Sequence, residues 1–164
     1  MSVLSYTSAD QIRALLGVSI DELPDSVVEL EVYDTGLLND LMEISPTIGL
    51  EYQTLLDGDI DSLTPLQSLL FKGVRAYATY CTARRVAIGM PMFGPKDITD
   101  GKAGVVRFAG TPYLDTLAAI ESELSRTKQR LIVVYKSFNP SVSSVPPRVY
   151  ANAVPLLFNP VTGS

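Results

Sequence analysis

The positions of the prolines divide this chain of 164 residues into segments with different folding options. Proline lacks a backbone N–H and has a fixed φ, so it disrupts a helix interior but suits a helix's first turn. Pro24, Pro46 and Pro91 therefore indicate turns or helix ends. Pro65 and Pro112 each follow a threonine and precede more than twenty residues without another proline, which predicts two long helices.

Two capping boxes locate the helices of the first half. Ser8 and Gln11 begin a short predicted helix that stops at Gly17, a residue suited to a helix C-terminus. Ser26 and the glutamate three residues later form a second box, and this helix is predicted to run to about Ser45. Its apolar face is Leu30, Tyr33, Leu37, Leu41 and Ile44. Beyond it the helical pattern weakens to a single predicted turn.

The third and fourth helices have the clearest signals. Thr64, Pro65 and Gln67 supply the cap, the first helical residue and the rest of a capping box. The third helix is predicted to end at Gly89 and the proline that follows it. Its predicted buried stripe is Leu66, Leu70, Val74, Tyr77, Cys81 and Ile88. A fourth helix opens at residues 111–112 in the same manner, and its stripe is Tyr113, Leu117, Ile120, Leu124, Leu131 and Val134.

Between these two helices, residues 90–110 lack helical spacing. Asp100 and Gly101 stand between Ile98 and an alternating segment at 105–108, which predicts a hairpin or an extended arm. The insertion therefore separates the third helix from the fourth.

The composition supports one globular unit. Hydrophobic residues make up 46% of the chain and charged residues 19%, which is too apolar for an intrinsically disordered protein. We therefore expect a mainly α fold, a small bundle of about four helices, in residues 1–137. Residues 138–164 are expected to form a long extended C-terminal arm. No apolar run approaches the ~20 residues that span a bilayer, so we expect a soluble protein made in the cytosol, with no membrane partner.

The same composition narrows the available chemistry. The chain has no histidine and a single cysteine, Cys81, so an internal disulfide and the ordinary zinc sites are excluded. Asp59 and Asp61 pair two carboxylates in an acidic stretch, but no nucleophile, phosphate loop or calcium-loop spacing accompanies them. We therefore predict no catalytic residues, no metal and no cofactor, with the acidic stretch a solvated loop. Cys81 is predicted to be a small buried hydrophobe rather than a reactive thiol.

Charge is distributed unevenly along the chain. Residues 1–62 contain 13 acidic residues and one basic residue, Arg13, whereas residues 63–164 contain 12 basic and 5 acidic residues. Such polarity suits complementary surfaces that meet across an interface. The alternative is that the two halves neutralise each other within one fold, and the charge count alone does not decide between them.

Three of these basic residues are Arg126, Lys128 and Arg130 on the fourth helix. They could contact DNA or a neighbouring subunit, or they could form a solvated, salt-bridged face. Three charges without a recognition motif favour the salt-bridged face.

The C-terminal arm combines prolines with apolar residues. Five prolines follow residue 138, so the arm is predicted to be neither a helix nor a central strand. Its apolar surface exceeds that of a free linker, so it is expected to lie on its own domain or to dock into a neighbouring subunit. The predicted partner-binding residues are Phe138, Val142, Val149, Tyr150, Leu156, Leu157 and Phe158.

The order of these parts resembles a known family. A short helix lies within residues 8–17, the turn Asp-Glu-Leu-Pro-Asp spans 21–25, and a long capped helix, an Ile-Thr-Asp-Gly-Lys arm at 98–102, another helix and an extended tail follow. Over nearly the whole chain this order is similar to the head-to-tail connector (adaptor) proteins of tailed bacteriophages.

The resemblance implies a structural virion protein without catalytic residues. Such a protein forms a homo-oligomeric ring, usually of twelve copies, at the phage neck beneath the portal protein. Its C-terminal segment reaches into the portal, its opposite side receives the tail or tail-terminator protein, and DNA passes through its channel without sequence-specific binding during ejection. The expected location is the virion neck, and the host cytoplasm during assembly.

The alternative is a helical DNA-binding protein of phage packaging or regulation. Such a protein requires a basic recognition helix, and the acidic first two helices do not supply one.

Overall fold

The computed structural model describes residues 2–93, 97–99, 104–106 and 111–140, and within them the protein is mainly helical. The α-helices are α1 (Ala9–Leu16), α2 (Asp25–Val28), α3 (Glu31–Ile44), α4 (Ile48–Asp57), α5 (Pro65–Phe93) and α6 (Thr111–Phe138). Short 3-10 turns occupy Val3–Ser5 and Ile60–Ser62. Between α5 and α6, strands β1 (Asp97–Thr99) and β2 (Gly104–Val106) pair antiparallel, with Ile98 opposite Val105. This is the predicted hairpin.

The predicted helix starts at residues 8 and 64 are confirmed. The Ser8 hydroxyl accepts a hydrogen bond from the backbone N–H of Gln11, and α1 ends at Gly17, whose φ of 66° lies in the left-handed region. Thr64 and Gln67 bond reciprocally through their backbone and side chains, with Pro65 as the first residue of α5. Local capping chemistry therefore determines where these helices begin.

The second predicted helix was wrong in two respects. Leu30 has extended backbone angles and divides it into α2 and α3. The box at Ser26 does not form, because Pro24 is the N-cap residue of α2 and Ser26 already lies inside that helix. Leu30 is also 45% exposed instead of lying in the buried stripe. Tyr33, with the two leucines that follow it at helical spacing, is buried as predicted.

Helix α4 is longer than the single turn predicted for this region. It runs for 10 residues and buries Ile48, Tyr52 and Leu55. No side chain caps its start at Thr47, so the sequence lacks the signal that marked the other helices. With α4 and the divided second helix, the described part of the chain contains six helices rather than about four. The acidic stretch at the end of α4 and beyond it is exposed, as predicted.

Helix α5 is the central element, because α1, α3, α4 and α6 all pack against it. Its core-facing residues run from Leu70 to Ala87. Leu66 and Ile88 lie beyond the two ends of this stretch and are 37% and 50% exposed, so their assignment to the buried stripe was wrong. The predicted end at Gly89 was also wrong, because the helix continues through Pro91 to Phe93. The insertion therefore follows residue 93 instead of starting at residue 90.

Helix α6 packs antiparallel to α5. Gly73 permits a close approach, because a Cβ at that position would lie 3.3 Å from Cδ1 of Leu131. Ile120 and Leu131 are buried and Leu124 is partly buried, as the predicted stripe requires. The helix includes Phe138, which packs against the core and therefore belongs to α6 rather than to the arm. The other predicted arm residues lie outside the described residues.

Candidate assembly surfaces

A partly buried polar cluster joins α3 to α5. The thiol of Cys81 donates to Oδ2 of Asp40 at 2.7 Å, and Arg85 donates to the same oxygen at 2.8 Å. Arg85 also donates to the carbonyl oxygen of Gly36 at 3.3 Å. Cys81 is 2% exposed, and burial, followed by the hydrogen bond to Asp40, raises its pKa to about 12. The thiol therefore stays protonated at neutral pH, which suits a structural role.

Arg13, the single base of the acidic half, is buried and engaged within that half. It donates to Oδ1 of Asp10 at 2.7 Å, to Oδ1 of Asp25 at 2.6 Å and to the carbonyl oxygen of Leu23 at 3.0 Å. These bonds fix the turn between α1 and α2.

A second polar cluster joins the start of α4 to the end of α6. The Tyr135 hydroxyl donates to Oε1 of Glu51 at 2.9 Å and accepts from Ser45 at 2.9 Å. Asn139 donates to the same Glu51 oxygen at 2.8 Å, and Thr47 does so at 3.0 Å. This cluster fixes the place from which the chain continues into its C-terminal segment.

The turn that Arg13 holds presents an exposed acidic surface. We define the acidic surface as the exposed residues Ile20, Asp21, Glu22, Asp25, Glu29, Leu30, Glu31 and Val32. Ile20 is 58% exposed and Val32 is 64% exposed, so apolar groups lie among the carboxylates. Asp21, Glu29 and Glu31 form no salt bridge within the described residues. This surface therefore combines exposed negative charge with exposed apolar area.

The outer face of α6 has the opposite charge. We define the α6 stripe as Arg126, Arg130, Val133 and Lys136, which recur at spacings of four, three and three residues and are all exposed. Such spacing places side chains on one face of a helix. Arg126 bonds to Glu123 at 2.7 Å, whereas Arg130 and Lys136 form no salt bridge within the described residues. Val133 lies among these bases and is 64% exposed.

Lys128, which was predicted to act together with Arg126 and Arg130, points toward α3 instead. Its ammonium lies 3.1 Å from Oε2 of Glu43 on α3. Two of the three bases named from sequence are thus salt-bridged, in agreement with the salt-bridged alternative, and the third is exposed. Val133 and Lys136 were not predicted as part of this face, because the three bases lie close together along the chain whereas the face follows helical spacing.

Folding neutralises only part of the charge difference between the two halves. Arg85 with Asp40 and Lys128 with Glu43 are the ion pairs that join the halves within the described part of the chain. The remaining ion pairs described there lie within one half. Both the acidic surface and the α6 stripe consequently remain exposed.

The carboxylates considered from sequence as a calcium or enzyme site form a local turn. Oδ1 of Asp59 accepts a hydrogen bond from the backbone N–H of Asp61 at 3.1 Å, and both residues are exposed. Over the residues that the structure describes, no group of three histidine, cysteine, aspartate or glutamate side chains is placed to hold a metal ion.

The comparisons add no relative for this chain. Among the described helices, none has the length and apolarity needed to cross a bilayer. No protein-family model, no curated protein and no solved structure matches the sequence or its fold.

Proposed function

We propose that this protein is a structural subunit of a head-to-tail connector, which forms a ring at the neck of a tailed phage, joins the portal to the tail and lets DNA pass. The observation that carries the proposal is the separation of charge that survives folding. A subunit of a ring meets its two neighbours through two different faces, so unlike charges on those faces favour association.

Exposed apolar side chains support an assembly role where they occur within these surfaces. Scattered exposed leucines are normal on any protein and carry no weight by themselves. Ile20, Val32 and Val133 differ, because each lies among charges of one sign. An apolar centre with a charged rim is the usual composition of a protein interface.

The proposal gives the chain no catalytic role. Cys81 is the strongest nucleophile in the sequence, and its raised pKa keeps it protonated. Arg13 and Arg85 are engaged by aspartates that fix one element against another. These polar groups stabilise the fold that displays the two surfaces.

The excess of acids in the first half also bears on DNA passage. Carboxylates facing a channel would repel the phosphate backbone and keep passing DNA from adhering. We therefore expect exposed acids of residues 1–62 that lie outside the contacts between subunits to face the lumen or its rim. A cryo-EM map of the assembled ring with a neutral or basic lumen would contradict this part of the proposal.

The C-terminal segment supplies the first test. Light scattering should show that the full chain associates with itself and with a portal protein, and that a truncation ending at Asn139 loses the portal interaction. The cluster that holds Asn139 is retained in the truncation, and circular dichroism would check its helical content. If the truncation binds the portal as well as the parent does, the docking role of residues 142–158 is wrong.

The DNA-binding alternative rests on Arg130 and Lys136, which are exposed bases outside any salt bridge in the described part of the chain. A filter-binding assay with duplex DNA separates it from the connector proposal. We expect no retention at moderate salt, because two or three phosphate contacts give weak, salt-sensitive binding and the acidic surface repels the duplex. Tight retention would favour the alternative.

A further inference from the structure

We propose that the α6 stripe of one copy docks on the acidic surface of a second copy, and that this contact builds the ring. The inference rests on the proposed function, because it specifies how the subunits of that ring meet. Three features indicate that the partner is a second copy of this chain. The two surfaces carry unlike charges, each contains apolar residues, and both are exposed in the single chain.

The α6 stripe lies on the side of α6 that faces away from the core. The side of α6 that packs into the core carries Ile120, Leu131 and Tyr135, all of which are buried. Arg130 and Val133 point away from that side and are exposed. Within the described residues, no other element covers this face, so a second molecule can reach it.

The chemistry of this face selects a protein partner of particular composition. Exposed bases at 130 and 136 require acidic groups, and Val133 between them requires apolar contact. A DNA backbone would satisfy the bases but offers nothing for the valine. The acidic surface offers both, since carboxylates flank Leu30 and Val32.

The two surfaces do not cover each other within one chain. Each is exposed, and each belongs to a different part of the molecule: the acidic surface lies on the segment from α1 to α3, and the stripe lies on α6. A contact between two different patches repeats from copy to copy and leaves one patch free at each end. Such an assembly closes into a ring when the rotation between neighbours allows it.

The salt bridge of Arg126 does not oppose this contact. Its partner Glu123 lies three residues earlier on the same helix, and both side chains are solvent-accessible. Exposed pairs of this kind contribute little to stability. Arg126 can therefore exchange Glu123 for a carboxylate of the neighbouring copy.

A charge exchange in the full-length chain tests the proposal. The stripe variant carries Arg130→Glu and Lys136→Glu, and the surface variant carries Asp21→Lys and Glu29→Lys. Asp21 and Glu29 suit reversal, because neither lies at a helix N-terminus and neither holds Arg13. The matched control carries Asp57→Lys and Asp61→Lys, two exposed acids outside the acidic surface. Circular dichroism and thermal unfolding would establish that each variant folds.

Sedimentation velocity at moderate salt gives the readout. We expect each reversed chain alone to self-associate at least tenfold more weakly than the wild type, because like charges then face each other. Mixing the two variants should restore association, since every contact again joins unlike charges. The control should assemble as the wild type does.

The results of this experiment distinguish failure of the proposed contact from failure of the proposed function. If both reversed chains assemble as well as the wild type does, the proposed contact is wrong. The protein could then still form a ring through another contact. Loss without rescue in the mixture would also overturn the proposed contact. A wild-type chain that stays monomeric at all concentrations, with and without a portal protein, would overturn both the contact and the connector proposal.

Discussion

The Tyr135 hydroxyl is the centre of the cluster that joins α4 to α6. It bonds to Ser45 and Glu51, and the residue is 3% exposed, so removing the oxygen takes one hydrogen bond from each of these partners in a largely buried place. The ring itself fills the same space in phenylalanine. A conservative substitution therefore isolates the contribution of the hydrogen bonds.

We expect Tyr135→Phe to lower the free energy of unfolding by about 1 kcal/mol, equivalent to a drop in Tm of roughly 3 °C. Urea or thermal denaturation would measure it. Tyr80→Phe is the matched control, because the Tyr80 hydroxyl makes no hydrogen bond within the described residues, and it should leave stability unchanged. Equal effects of the two substitutions would show that the cluster contributes nothing.

Cys81 provides a second test at the same scale. Its pKa is about 12 in the folded protein against 9.0 ordinarily, so the thiolate is scarce below pH 9. A neutral alkylating reagent at pH 8 should react with the native protein at least a hundredfold more slowly than with the urea-unfolded chain. Since Cys81 is the single cysteine, mass spectrometry reports this site alone. Equal rates in the two states would contradict the buried, protonated thiol.

The sign of the associated pH dependence follows from the same shift. Above pH 9 the unfolded chain releases the thiol proton while the folded chain keeps it up to about pH 12. The contribution of Cys81 to stability is therefore fully present below pH 9 and is lost as the pH rises toward 12. The loss should be smaller in Cys81→Ala, measured as the change of the urea midpoint between pH 8 and pH 10.5.

At the scale of elements, capping signals were sufficient to predict where α1 and α5 begin and where α1 ends. These signals act between residues three or four apart, so they can be read directly from the sequence. The break at Leu30 and the full length of α4 could not be predicted in the same way. No side-chain cap marks either start, and α4 is stabilised instead by Tyr52, which stacks between Tyr6 and Phe71 from distant parts of the chain.

The candidate surfaces could likewise be predicted only in part. The excess of acids before residue 63 is visible in the sequence, and so is the placement of three bases on one helix. Which of those bases remain free is a tertiary property. Lys128 meets Glu43 only because α3 and α6 are brought together, 85 residues apart in sequence.

Two glycines at helix ends give a matched prediction. Gly17 has a φ of 66°, so Gly17→Ala should lower the free energy of unfolding by about 1 kcal/mol through backbone strain, although nothing lies near the new Cβ. Gly58 ends α4 with a φ of −84° and room for a Cβ 3.5 Å from the carbonyl oxygen of Thr54. Gly58→Ala should therefore leave stability unchanged or slightly raised. Thermal denaturation compares them, and equal losses would contradict a conformational origin.

For the whole molecule, charge has separate effects on folding and on association. The ion pairs that involve Arg84 and Lys128 are solvent-accessible, so they contribute little to the stability of one chain. In the proposed contact, the acidic surface and the α6 stripe act on association between copies. Ionic strength should therefore act on the two processes to different degrees.

We expect the apparent dissociation constant for self-association to rise at least tenfold when salt increases from about 0.1 M to about 0.5 M, because screening shortens the range of charge attraction. The Tm of dilute chains should change by no more than about 2 °C over that range. Sedimentation velocity and calorimetry supply the two measurements. Association that strengthens with salt would indicate an interface dominated by apolar contact instead.

The cluster around Glu51 also has a mechanical consequence. Asn139 bonds to Glu51 one residue after α6 ends, so tension applied along the following segment reaches α4 through this bond before it can unravel the last helical turn. The hydrogen bond from Tyr135 to Glu51 transmits part of the same tension one turn earlier in α6. A pull on the C-terminal segment is thereby spread over two helices.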